Sequence, residues 1–101
     1  MKRDKFLIEW SLAVRERDKA CQVCGTVTKR LNAHHIIPKN FLKYKYDLSN
    51  GITLCVTHHK FGKFSAHKNA IWFANWMREN RPYDYLTTSQ RIKDLLGENE
   101  I

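Results

Sequence analysis

Cys21 and Cys24 are separated by two residues in CQVCG, and Cys55 and His58 repeat that spacing in CVTH. Together they offer three thiolates and one imidazole, the donor set of a closed tetrahedral zinc site. Sulfur and imidazole nitrogen suit a borderline-soft ion, and each short spacing lets a pair reach one ion from a single turn. Gly25 frees the turn behind the first pair. A site closed by four protein ligands has no position open to a reactant, so such a zinc is structural. A redox C-x-x-C would want a thioredoxin-like βαβ pattern nearby, and none is visible. The remaining alternative is a set of unrelated buried cysteines.

Three further histidines remain: His59, next to His58, and the pair His34-His35 in NAHHIIP. A lone histidine is usually a satisfied surface or core residue. Three of them on two elements that flank the cysteines are harder to dismiss. Adjacent side chains in a strand point to opposite faces, so His34 and His35 cannot easily share a job. At a distorted strand end one could bind a second metal while the other faces a reacting water. His59 could complete that second site. Asn50 precedes Gly51, a common tight-turn dipeptide, so on its own it reads as a residue that turns the chain. Lys39, Lys43, Lys45, Lys60, Lys63 and Lys68 flank these positions. Each is more often a solvated charge, but together they could meet phosphates, giving affinity and salt dependence rather than sequence choice.

The elements that must position these groups are short. Residues 4–19 read as a helix, with Phe6, Leu7, Trp10, Ala13 and Val14 on one face and Arg15, Arg17 and Lys19 towards its end. Residues 21–25 read as a tight turn. Residues 30–37 and 52–56 read as two short strands, the first ended by Pro38, with an irregular loop between them. A helix is expected from about Thr57, weakened by Gly62. A stronger one is expected over 66–79, with Ala70, Phe73, Ala74 and Met77 on one face and Trp72 and Trp76 beside it as core. Pro82 breaks the chain. Thr87 and Gln90 have capping-box spacing for a last helix to Leu96, with Gly97 as its stop.

The chain has 101 residues, 18 Lys and Arg against 10 Asp and Glu, and a net charge of +8. That length suits one domain over 1–101 with a marginal core, for which a metal would compensate. The spread of basic residues favours a charged face meeting a polyanion, most commonly nucleic acid. Three cysteines do not make a disulfide framework. The basic, then apolar, start is broken by Glu9 and shows no cleavage site, so it does not read as a signal peptide. No apolar run approaches ~18 residues, so no membrane partner is expected, and a reducing, cytoplasmic location is the default.

Four pieces in order resemble the HNH endonuclease family, whose shared core is a ββα-metal fold. They are Arg17-Asp18 with Cys21-Gln22-Val23-Cys24-Gly25; Leu31 with His34-His35-Ile36 and Pro38; Leu48 with Asn50-Gly51-Ile52 and Leu54-Cys55; and His58-His59. The resemblance covers about residues 10–65, leaving 66–101 as a helical extension. It is similar to small free-standing HNH proteins of phages. It implies an α+β fold: a small zinc-knuckle ββα core with flanking helices at both ends. It implies that His34 and His59 bind a catalytic divalent ion (Mg²⁺, Mn²⁺, Ni²⁺ or Zn²⁺), that His35 is the general base, and that Asn50 fixes the loop. Cys21, Cys24, Cys55 and His58 would hold structural Zn²⁺, His58 standing where the family has a cysteine. Lys63 stands where some relatives carry a further ligand, and His67, two helical turns beyond His59, could substitute. The implied activity is hydrolysis of DNA with no small-molecule cofactor, Lys39, Lys43, Lys60 and Lys63 contacting the nucleic acid. Phage DNA-packaging proteins are implied partners, in the cytoplasm of a bacterial host if the chain is phage-encoded. The alternative is a non-catalytic, zinc-stabilised nucleic-acid-binding module.

Overall fold

Asp4 starts the first helix. Its carboxylate accepts the Leu7 N–H at 3.0 Å, capping α1 (Lys5–Asp18). Lys19 ends it in the left-handed conformation and donates its N–H to the Arg15 carbonyl. The chain then enters the Cys21–Gly25 turn, where the Gly25 N–H returns to the Cys21 carbonyl at 2.8 Å and φ is +74°. Only a residue without Cβ takes that φ at no cost. The computed structural model describes residues 4–100, with side chains through residue 97, so residues 1–3 and 101 of the expected domain lie outside the described residues.

Strands β1 (Leu31–His35) and β2 (Gly51–Cys55) pair antiparallel, with His35 opposite Gly51 and Leu31 opposite Cys55. β2 is buried along its whole length because both its faces are covered. Ile52 and Leu54 join a cluster with Phe73 and Met77 of α2 (Ala70–Asn80), against which Trp72 and Trp76 pack. Gly51 meets α1 instead: a Cβ there would lie 2.6 Å from both Trp10 and Val14 side chains. The Asn50-Gly51 pair is therefore not a hairpin turn. Asn50 closes a 3-10 turn (Leu48–Asn50), and Gly51 is glycine because a helix passes over it.

The α+β architecture with helices at both ends is as expected, with three differences in the helices. The helix expected from Thr57 is a single π turn, Thr57–Phe61, closed by the Gly62 N–H on the Thr57 carbonyl at 2.8 Å. The helix expected from residue 66 begins at Ala70, because the Asn69 side chain caps it by accepting the Trp72 N–H. The last helix, α3 (Pro82–Glu100), starts at Pro82, whose missing N–H would be unpaired in a first turn anyway. Thr87 and Gln90 are thus interior to α3 and cap nothing, and Gly97 does not stop it.

The loop between the strands is held from several sides. Trp10 Nε1 donates to the Asp47 carbonyl at 2.7 Å. Arg17 donates to the carbonyls of Leu48 and Gly51 while pairing with Asp18, whose carboxylate accepts the Thr53 N–H. From α3, the Arg91 guanidinium lies 4.8 Å from the Tyr44 ring and bonds Ser49 Oγ. The C-terminal helix, read from the sequence only as an extension for packing or partner docking, braces the loop beside His35.

Candidate functional site

Cys21, Cys24, Cys55 and His58 converge, their ligand atoms all within 4.8 Å of one another. Cys24 Sγ lies 3.9 Å from Cys55 Sγ, and His58 Nδ1 lies 3.3 Å from Cys55 Sγ and 3.9 Å from Cys21 Sγ. Zinc–sulfur bonds of ~2.3 Å place neighbouring sulfurs about 3.8 Å apart in a tetrahedron. The spacing and the donor set fit zinc, and no disulfide consumes the thiols. Burial opposes ionisation of Cys21, but the backbone N–H groups of Cys24, Cys55 and Val23 outweigh it and hold the thiol below its ordinary value. The first knuckle hangs from the end of α1. The second sits where β2 runs into the π turn.

The π turn places His58 and His59 into different clusters. His58 joins the cysteines, whereas His59 joins His34 and His67. His59 Nε2 and His67 Nε2 are 3.1 Å apart, and the His34 ring centroid lies 5.1 Å from that of His59 and 5.2 Å from that of His67. Metal–nitrogen bonds of ~2.1 Å put adjacent ligand nitrogens about 3.0–3.4 Å apart, so this pair fits a shared divalent cation. Burial, then the neighbouring histidines, pushes His34 down to about 3. Burial, then His67 and Lys60, pushes His59 down to about 4. Burial and Lys60 lower His67 as well. All three rings are therefore neutral at pH 7, the form in which imidazole binds a metal.

His67 reaches this cluster by a route unlike the expected one. No continuous helix links it to His59. The chain folds back after Gly62, and the Ala66 and His67 N–H groups bond the His58 and His59 carbonyls at 2.8 and 3.1 Å. Lys63 is exposed and lies off the cleft that the histidines line. Gly62 was the signal: a helix weakened there does not extend to residue 67.

His35 is not part of that cluster and is held by other contacts. Its Nε2 lies 2.9 Å from the Lys45 carbonyl. A carbonyl only accepts, so Nε2 carries the hydrogen and Nδ1 keeps the lone pair. The ring stacks on Trp10 with centroids 3.8 Å apart and planes 10° from parallel. Burial lowers its pKa, Lys39 and Lys45 add to this, and the Lys45 carbonyl bond works against it. Asn50 is buried and fully engaged: Oδ1 accepts the Ile37 N–H at 2.8 Å, and Nδ2 donates to the Ile37 and Tyr44 carbonyls at 3.0 and 3.2 Å. It thereby fixes the loop that presents the Lys45 carbonyl. Trp10, read from the sequence as a core residue alone, supports His35 directly.

His34, His35, His59 and His67 line one cleft of ≈ 470 Å³ together with Lys39 and Lys60. Lys43 does not line it; its ammonium lies 5.7 Å from the Tyr44 ring. Asn32 stands behind the cluster, its side-chain amide 3.2 Å from His59 Nδ1. A cation on Nε2 requires hydrogen on Nδ1, and the Asn32 carboxamide, turned about its last bond, presents oxygen to that hydrogen.

The arrangement offers a lone-pair imidazole, a cation site of neutral nitrogens, and lysines in one cleft, which is equipment for hydrolysing a phosphate ester. A family model described as HNH endonuclease matches residues 21–67. No curated protein and no solved structure matches the chain.

Proposed function

We propose that the chain, whose residues 21–67 match the HNH endonuclease family model, is a metal-dependent endonuclease hydrolysing DNA phosphodiester bonds with His35 as general base. The observation that carries this reading is the tethered His35 ring beside the His34, His59 and His67 cluster. A divalent ion held by those three residues would neutralise charge developing on the scissile phosphate and at the leaving 3′ oxygen. His35 Nδ1 takes a proton from the attacking water as its oxygen bonds to phosphorus. The P–O3′ bond then breaks, and the 3′ oxygen takes a proton from a solvent water, leaving a 5′-phosphate and a 3′-hydroxyl. The Lys45 carbonyl and the Trp10 face keep the ring from turning, so the lone pair stays on one nitrogen throughout. Asn50 positions the loop and touches no reactant. Lys39 and Lys60 meet phosphates beside the cleft, and Cys21, Cys24, Cys55 and His58 hold zinc as scaffold.

Supercoiled plasmid incubated with Mg²⁺, Mn²⁺, Ni²⁺ or Zn²⁺ tests this. The expected result is nicked or linear product with at least one ion. His35→Ala should lower the rate about 10²–10⁴-fold while DNA binding persists. Binding by the intact protein with no cleavage under any ion would replace the enzyme by a non-catalytic zinc module.

A further inference from the structure

The cations of this protein fall into two groups. Arg17, Lys45, Arg81 and Arg91 each pair with an aspartate. Arg15, Arg30 and Lys60 form no ion pair among the described residues; the one hydrogen bond of the Arg15 side chain runs to the Ser11 carbonyl within its own helix, at 3.2 Å. These three converge on a groove of ≈ 290 Å³ between α1 and the start of β1, and no Asp or Glu lines it. Its wall includes Ala33, His59 and Lys60, which also line the histidine cleft. The two depressions therefore adjoin at these residues. Lys39 stands in one and Arg15 with Arg30 in the other, the histidine cluster lying between.

We infer that the Arg15–Arg30–Lys60 groove carries the phosphodiester backbone of the substrate on one side of the scissile bond, Lys39 carrying it on the other. The inference rests on the nuclease reading of the cleft. Like charges gathered without an acid repel one another, and a polyanion relieves this most fully. Guanidinium forks match phosphate oxygens in pairs, which makes arginine well suited to such a track. A small anion would need only one depression. Two adjoining depressions, with His59 of the histidine cluster lining both, fit a strand. Neither arginine side chain holds an element in place, so both are available to a ligand.

The test is binding of a short DNA duplex across a range of salt, without added divalent ion, to wild type, Arg15→Ala/Arg30→Ala and Arg78→Ala/Lys93→Ala. The last pair removes the same charge from exposed helix positions outside both depressions. Each phosphate contact contributes about 0.9 to the slope of log K against log salt. The groove variant should lose roughly 1.8 from that slope and bind at least tenfold more weakly at physiological salt, the control changing little. A groove variant indistinguishable from the charge-matched control overturns the inference, as does wild type that does not bind. Binding by wild type, with the expected slope loss in the groove variant but no cleavage, keeps the groove and discards the nuclease. Cleavage by wild type with equal slopes in both variants does the reverse.

Discussion

The hydrogen on His35 Nε2 decides what the residue can do. Because that nitrogen is committed to the Lys45 carbonyl, any proton accepted must go to Nδ1, and only when the ring is neutral. Burial holds its pKa below the ordinary 6.5. The rate of plasmid nicking should thus fall on acidification with a midpoint below 6.5 and be level from there to about pH 8, since above the midpoint the lone pair is already free. A midpoint above 6.5 in the pH profile of kcat/KM would contradict the arrangement. At this scale much was legible. The cysteine and histidine spacings are local, and local spacing survives folding. The identity of the tether was not, because a main-chain carbonyl on a loop leaves no mark in residue type. His67 was legible as a substitute ligand for the His59 site, but not its route there, which is a chain reversal after Gly62 and not two turns of one helix.

Elements carry these groups through a few close approaches. The contact of α1 with β2 is the tightest, and it ties packing to chemistry. A methyl at residue 51 would collide with Trp10, and Trp10 is the surface on which His35 rests. Gly51→Ala should cost about 1–3 kcal/mol of stability, read from the denaturant midpoint. It should also lower the nicking rate of the fraction that remains folded. Unchanged activity per folded molecule would show that the ring stack is ornamental. Strand positions and the first helix were readable because apolar periodicity and the Pro38 stop agree with the packing. The helix starts depart from the sequence expectation at their caps: Asn69 sets the start of α2, and Pro82 begins α3 instead of only breaking the chain. The π turn has no composition of its own and follows from the need to aim two adjacent imidazoles at two centres.

For the molecule as a whole, the cysteine cluster joins the end of α1 to the junction of β2 and the π turn, so the proposed zinc closes the fold across its small core. Structural zinc binding is worth on the order of 10–16 kcal/mol in small domains, more than a domain's usual net stability of about 5–15 kcal/mol. Strong chelation should unfold the protein, and His58→Ala should lower zinc content and melting temperature together. His59→Ala should keep zinc, melt close to wild type and fail to nick DNA. Equal melting losses in the two variants would defeat this division of labour. The bracing of the loop by Arg91 was invisible in the sequence, as was the convergence of Arg15 with Arg30, because both pair residues far apart in the chain. One feature of the loop constrains how such a chain can diverge. What orients His35, the proposed general base, is peptide oxygen at position 45 rather than any side chain there, so replacing Lys45 leaves the acceptor intact so long as the backbone path is kept. Selection on this segment then falls on its shape, which Asn50 holds through the Ile37 and Tyr44 carbonyls and Arg91 through the Tyr44, Asp47 and Ser49 side chains.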